Sequence, residues 1–454
     1  MDTRSPDSTA YARWFRASTP YIGKHRGKTF VVMLGGDAIE HANLVNIIHD
    51  LALLSVLGVR VVLVHGARPQ IDRALAARNL TSKYEGHRRI TDAPAMEVVE
   101  ATVAVVRSTI EGWFSTGIPN TPLHKARVLV VSGNLVTAKP LGVIDGVDHE
   151  HTGRARRVDA KSIAELLDSG ALVLISPLAH SPSGQAFNLN AEELAADVAV
   201  SLKADKLIVL DRSGRLGNQT MTGADQAFSE LTPRDVEALL SETELNPVTR
   251  MRLTELLRTV RAGVDRAHLV SYADDGALLE ELFTAAGSGT QVSEQEFRHI
   301  RPAGIDDVAG IAELIRPIEV EGALVKRPRE RLEQEIDRFL VAELDGIIIG
   351  CCAVYPYAAD NMAELACLAT HPAYRDSHAT DRSLGDRLLH KAESQVRGAG
   401  IGTLFALTTQ AREWFLERGF NDADITDLPK SQQQIYNHQR GSHIVLKRLT
   451  NPHD

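Results

Sequence analysis

Short apolar runs, each stopping at a glycine or a small polar residue, recur through the first half of the chain and leave few folds open. Thr29–Leu34 stops at Gly35-Gly36 and Val59–Val64 at His65-Gly66. Arg127–Val131 precedes Ser132-Gly133-Asn134, Ala171–Ile175 precedes Ser176-Pro177, and Lys206–Leu210 precedes Asp211. Asn43–Leu57, between the first two runs, has helical periodicity. Near-continuous Val, Ile and Leu in runs this short is the composition of strands buried on both faces. Alternation with helices makes such a sheet parallel. Ligands of these sheets sit off the carboxyl ends of the strands, where these glycines gather.

At 454 residues the chain is long enough for two domains, and its apolar and charged fractions allow a real core. A net charge of −9 argues against nucleic acid or an anionic membrane as the main partner. Cys351, Cys352 and Cys367 are the only cysteines, and their spacing matches neither a metal site nor a disulfide framework. No basic-plus-apolar leader opens the chain and the apolar runs are too short to span a bilayer. A cytoplasmic protein with no metal is expected.

The stretches MLGGDA, HGARPQID, RRITD, VSGNLVTA and NLNAEELAADVAVSLKADKLIVLD follow one another in this order. Together they resemble the amino-acid kinase family, acetylglutamate kinase in particular, over Pro20–Gln291, and imply its parallel-sheet sandwich. Tyr11–His25 reads as a short helix interrupted at Pro20. The chain departs from the kinases where phosphoryl transfer needs positive charge. The lysine two places before the first Gly-Gly is Met33, no lysine lies between Lys206 and Lys326, and Glu192 replaces the aspartate of the NxNAD motif. Arg250 and Arg252 could compensate in part, but kinase chemistry is expected to be lost.

His268–Thr290, HLVSYADDGALLEELFTAAGSGT, resembles the arginine-binding end of the arginine-inhibited acetylglutamate kinases and synthases. The resemblance implies an allosteric L-arginine site made by Tyr21, His268, Glu281, Gly287, Gly289 and Thr290. A carboxylate would face the guanidinium, with loop amides and a hydroxyl at the other end. Taken by themselves, His268 is a strand-end residue and Glu281 a helix-face residue.

Ala285–His299 is small and polar, the composition of a linker. Residues 1–291 and 298–454 are therefore expected as two domains. In the second, helical Asp306–Pro317 and Leu332–Phe339 precede a strand Phe339–Glu343, a tight turn at Asp345-Gly346 and strands Ile347–Val354 and Ala363–Ala369. His371-Pro372 closes the last of these, and a helix begins near Ser383. The order β-α-α-β-β-β-α-β-α-β, ending at His443–Leu449, resembles the GNAT α+β acetyltransferases. In that family a strand, a loop of donors and a helix N-terminus hold acetyl-CoA. Carried over by position, Cys367, Leu368 and Ala369 and the loop residues Arg382, Ser383, Gly385 and Arg387 would bind this co-substrate. Gly385 would let amides approach the pyrophosphate. Arg387 departs from the family's final glycine or alanine.

Gly322–Arg329, Glu364–Ala369 and the segment LTTQAREWFLERGF…YNHQRGSHIVLKRL resemble the bacterial N-acetylglutamate synthase family. That family joins a degenerate kinase domain to an acetyltransferase. It implies Glu364 as the base for the substrate amine, a Cys367 backbone amide for the oxyanion, and Thr408 as the proton donor to the leaving thiolate. Cys367 is not read as a nucleophile, since no activating histidine stands at a telling spacing. Arg327, Arg440 and Ser442 would bind the two carboxylates of L-glutamate, and Trp414, Phe415 and Phe420 read as core. The family also implies a ring-like homo-oligomer, a hexamer. The expected activity is arginine-regulated acetyl transfer to glutamate, the first step of arginine biosynthesis. Two alternatives are a bifunctional synthase/kinase and an arginine-binding regulatory protein without acetyltransferase activity.

Overall fold

The computed structural model describes residues 8–86, 88–116, 128–212, 214–217, 227–242, 245–284, 287–293, 299–344, 346–372, 383–435 and 441–449. The chain divides into two compact units, Met1–Gln295 and Glu296–Asp454.

The first unit begins with helix α1 (Ser8–His25). It runs through Pro20 without a break, so the interruption expected there is corrected. A proline costs a helix one amide bond. The turn beyond it is held by tertiary contact, because the His25 ring bonds the carbonyl of Leu282 at 2.7 Å and packs edge-on against Phe283. The central sheet uses β1 (Thr29–Leu34), β2 (Arg60–His65), β3 (Val130–Ser132), β4 (Leu172–Ile175), β5 (Lys206–Asp211), β6 (Glu230–Leu231), β7 (Arg266–Ser271) and β8 (Thr290–Val292). Their order is β6-β8-β7-β5-β1-β2-β4-β3, and only the β7–β8 pair is antiparallel among the described pairings. β3 starts later than the sequence suggests, and Arg127 lies outside the described residues.

Every residue of β1 is buried, as a central parallel strand requires. Val31, Val62, Val173 and Val209 pack on Ala195 and Ala199 of helix α3, which spans Ala191–Leu202; helix α2 spans Leu44–Val56. Asn190 caps α3 by accepting from the Glu193 amide, a bond worth about 1 kcal/mol. A closed four-strand barrel of Val136–Pro140, Thr152–Val158, Leu178–His180 and Ala186–Leu189 sits beside the sheet. The expected linker is shorter than its composition suggested. Thr290–Val292 is paired to β7 on one side and β6 on the other through backbone bonds, which need no apolar pattern, so this polar stretch is a strand inside the sheet. Helices α4 (Pro247–Arg261) and α5 (Ala277–Phe283) both pack against β7.

The second unit contains β9 (His299–Pro302), α6 (Val308–Val320), α7 (Arg329–Gln334), β10 (Phe339–Leu344), β11 (Ile347–Tyr357), β12 (Met362–Thr370), α8 (Leu384–Gly398), β13 (Thr403–Thr408), α9 (Arg412–Leu416), β14 (Asn421–Ala423), α10 (Lys430–Ile435) and β15 (His443–Arg448). The sheet order is β9-β10-β11-β12-β13-β15-β14. α7 is shorter than expected and gives way to a 3₁₀ turn at Ile336–Arg338. α10 and β14 go beyond the element order read from the sequence. β12 and β13 are the parallel pair of this sheet among the described pairings, and the pairing covers only Met362–Glu364 against Thr403–Phe405. Past Glu364 the two strands part.

Among the described residues no helix is long and apolar enough to cross a membrane. No group of three or more His, Cys, Asp or Glu among them could hold a metal ion.

Candidate active site

β12 carries a bulge that defines the site. Cys351 pairs with Ala369 and Ala353 with Ala366, so Cys367 and Leu368 together oppose the single residue Cys352. Cys367 adopts the left-handed region, φ +53°, as the extra residue of a bulge does. The side-chain alternation flips there. Ala363 and Leu365 pack with Leu384 and Leu388 of α8, whereas Cys367 and Ala369 pack with Val308 and Ile311 of α6. Glu364, two places after Met362 on the face away from α8, therefore shares its face with Cys367 beyond the bulge. Backbone amides near Cys367 are turned out of the regular ladder at the point where β12 leaves β13.

Glu364 pairs across to Tyr355 on one side and Phe405 on the other. Its Oε2 accepts from Nε2 of Gln432 at 2.7 Å. Burial raises its pKa above the ordinary carboxylate value, while Arg327, Gln432 and Tyr357 oppose that rise. A buried carboxyl held near such donors is suited to accept a proton near neutrality. Arg327 precedes α7; its amide donates to Glu319 at 2.8 Å and its Nη1 donates to the Val325 carbonyl at 3.2 Å. Its buried Nε has no hydrogen-bond partner. The Cys351 thiol bonds the Cys367 carbonyl at 3.6 Å, and its bond to Cys367 together with burial pushes its pKa well up.

Thr408 ends β13 and is buried; its Oγ1 accepts from the Ala411 amide at 2.9 Å, which leaves the hydroxyl proton to donate. Ser442 immediately precedes β15. Arg382 and Arg440 lie outside the described residues. Ser383 caps α8 in a reciprocal box, Ser383 N donating to Asp386 at 2.8 Å and Asp386 N to Ser383 Oγ at 3.3 Å. Leu384 and Gly385 supply the first-turn amides, which have no acceptor within the helix. A Cβ on Gly385 would lie 3.0 Å from Trp414 Cζ2, so its smallness also lets α8 approach α9. Arg387 follows in the same first turns. Phe415 and Phe420 are core, and Trp414 carries the Arg418 guanidinium 4.1 Å above its ring.

In the first unit, His268 is buried, with Nδ1 2.7 Å from Glu281 Oε1 and Nε2 3.3 Å from Lys206 Nζ. Burial holds the imidazole neutral to about pH 4. Glu281 accepts from the Ser288 and Gly289 amides at 2.8 Å each. Burial would raise its pKa, but His268 and those amides hold it down to about 2. A Cβ on Gly287 would come 2.6 Å from Glu281 Oε2, so the carboxylate fills the space beside this glycine. Thr290 Oγ1 takes the Leu216 amide at 2.9 Å. Tyr21 is buried on α1. The structure thus joins His268, Glu281, Gly287 and Gly289 in one cluster, while the Thr290 hydroxyl is engaged with Leu216 and Phe228.

The glycine-lined cleft of this unit, bordered by Met33, Gly35, Arg68, Asn190 and Arg252, holds about 180 Å³. Ordinary ligand sites run to roughly 300–1,000 Å³. Arg252 is paired with Asp211 and lies 3.9 Å from Glu192, and Arg250 donates to the Leu240 carbonyl. Each guanidinium thus makes a contact within the protein, while the buried Nε of Arg252 has no hydrogen-bond partner.

Residues 28–216 match the amino acid kinase family and residues 308–420 the acetyltransferase (GNAT) family. The amino-acid acetyltransferase of Pseudomonas paraeruginosa is 47% identical over 97% of this chain and 99% of its own length. That of Serratia proteamaculans is 46% identical over the same shares. This chain belongs to the amino-acid acetyltransferase family. It is an enzyme of the acyltransferase class. The crystal structure of N-acetylglutamate synthase from Neisseria gonorrhoeae complexed with coenzyme A and L-arginine matches with a TM-score of 0.82 and 38% identity, over 98% of this chain and 100% of that one. The same synthase complexed with coenzyme A and N-acetyl-glutamate matches at 37% identity with a TM-score of 0.62, over the same shares. Family membership extends over both units.

Proposed function

We propose that this chain is an N-acetylglutamate synthase, transferring the acetyl group of acetyl-CoA to the amino group of L-glutamate, with L-arginine as feedback effector on the first unit. The observation that carries the reading is Glu364 at the apex of the opening between β12 and β13, inside a chain related along its whole length to amino-acid acetyltransferases.

The glutamate ammonium must lose a proton before its nitrogen can attack. Glu364 takes that proton, directly or through one water. Attack on the thioester carbon places negative charge on the carbonyl oxygen, which an amide at the Cys367–Leu368 bulge stabilises. Collapse breaks the C–S bond; Thr408 gives its proton to the departing thiolate and is reprotonated by the second N–H proton that the attacking nitrogen loses as it becomes the amide. Arg327, whose Nε is unspent, binds a glutamate carboxylate, with Arg440 and Ser442 assigned to the same substrate. Backbone groups of Cys367, Leu368 and Ala369 and the start of α8, from Arg382 and Ser383 through Gly385 to Arg387, bind acetyl-CoA. Tyr21, His268, Glu281, Gly287, Gly289 and Thr290 form the arginine site in this proposal. A cytoplasmic, ring-like homo-oligomer, a hexamer, completes it; light scattering on the eluting protein tests the size.

The deciding assay is release of free thiol from acetyl-CoA with and without glutamate, repeated with arginine. Glutamate-dependent release that arginine alters supports both halves. Release indifferent to arginine removes the effector site. No release from folded protein removes the enzyme.

A further inference from the structure

Glu364 is held by more than its strand. The Nε2 of Gln432 spends one N–H on Glu364 Oε2 and the other on Tyr357 Oη, at 2.7 Å each. Because the Tyr357 oxygen accepts from Gln432, its own proton is left to offer to the Glu364 carboxylate. These partners come from distant parts of the chain. Tyr357 ends β11, two residues beyond the Tyr355 that pairs with Glu364, and Gln432 is buried on α10. α10 leads along the sequence toward Arg440 and Ser442.

We infer that Gln432 and Tyr357 are positioning residues for this reaction: they fix the orientation of the Glu364 carboxylate and keep it ionised until it receives the proton of the substrate amine. The inference rests on Glu364 acting as the base. A buried carboxylate without donors takes up a proton at neutral pH and cannot accept another. The remaining groups around Glu364 do not replace the pair. Arg327 and Arg331 bring positive charge from the start of α7. Tyr355, opposite on β11, has its hydroxyl committed to Glu335 at 2.6 Å, and Phe405 on β13 is apolar. Charge alone does not fix which way a carboxylate turns; a carboxamide bonded at both N–H groups does.

The test is the pH profile of kcat/KM for glutamate in Gln432→Leu, Tyr357→Phe and Glu364→Gln, with coenzyme A binding by calorimetry as the check on folding. In the first two variants the acidic limb is expected to move up by about one pH unit. Activity near pH 7 then falls by about two- to fivefold, and most of it returns at pH 9. Tyr357→Phe removes a single oxygen and stands in should Gln432→Leu fail to fold. A uniform loss at every pH, with the limb in place, would assign the pair to packing and overturn the inference while leaving Glu364 as base. If Glu364→Gln instead kept wild-type activity and the wild-type limb, the base assignment itself would fall and take the inference with it.

Discussion

The two units each open a cleft where parallel strands end or part, and they differ in where their charges go. In the first, three cations bordering the glycine-lined cleft are matched within the protein: Arg252 to Asp211 and Glu192, Arg88 to Glu193, Arg89 to Asp72. In the second, Arg327 likewise keeps a buried Nε without a hydrogen-bond partner, as Arg252 does, but its charge acts on a buried carboxyl with a raised pKa, Glu364. A strand–glycine framework therefore says little about chemistry by itself. What sets the second apart is a buried carboxyl, Glu364, placed where two parallel strands part.

The largest expected effect breaks the comparison on the active side. Glu364→Gln keeps the shape and the Gln432 contact but removes the base, so kcat falls about 10²–10⁴-fold, the range for loss of a general base, while coenzyme A affinity holds. Next comes Arg327→Ala. A charge-assisted hydrogen bond to a carboxylate contributes about 1.5–3 kcal/mol, which corresponds to a rise of roughly 10- to 150-fold in the KM for glutamate. A KM that stays level in steady-state assays would show that Arg327 belongs to the packing of α6 and α7.

The first unit answers to acid instead. His65 and His268 are buried, and burial lowers both to about 4. An unfolded histidine titrates near 6.5. Between those values the unfolded state binds more protons than the native one, so stability is lost as pH falls from about 6.5 to about 4. At pH 5 each histidine costs about 2 kcal/mol relative to pH 7.5. The thermal midpoint of the first unit should fall over that range, and His65→Gln should flatten the slope. A midpoint independent of pH from 7.5 to 5 would mean that these rings are protonated in the native state.

Much of this was legible in the sequence, because parallel strands buried on both faces announce themselves as unbroken apolar runs with glycine after them. Thr29–Leu34 and Lys206–Leu210 are examples. The Cys367 amide was expected from family resemblance, whereas the bulge there shows only in the structure, as a reversal of which residues face α8. What stayed hidden depends on contacts between distant residues. Gln432 and Tyr357 meet Glu364 from remote elements, with no periodicity to mark them. Thr290–Val292 is a strand by virtue of its neighbour β7. Gly385 lies against Trp414, far along the chain. Pro20 sits inside a helix because His25 anchors the turn after it.

The smallest effect concerns the start of α8. Ser383 and Asp386 cap one another, and Arg418 holds the Asp386 carboxylate. Ser383→Ala removes the hydroxyl that accepts from the Asp386 amide, so it should cost about 1 kcal/mol of stability in denaturant unfolding. Its effect on coenzyme A separates two ways in which a helix start can bind phosphate. If backbone amides of the first turn do the binding, the loss of the cap leaves them in place and the dissociation constant changes by about twofold. If the Ser383 hydroxyl itself is a ligand, calorimetry will show a loss of about tenfold or more, the worth of a hydrogen bond to a charged group. The first outcome makes the cradle a property of the fold, as in the degenerate cleft. The second makes it a property of a side chain, as at Arg327.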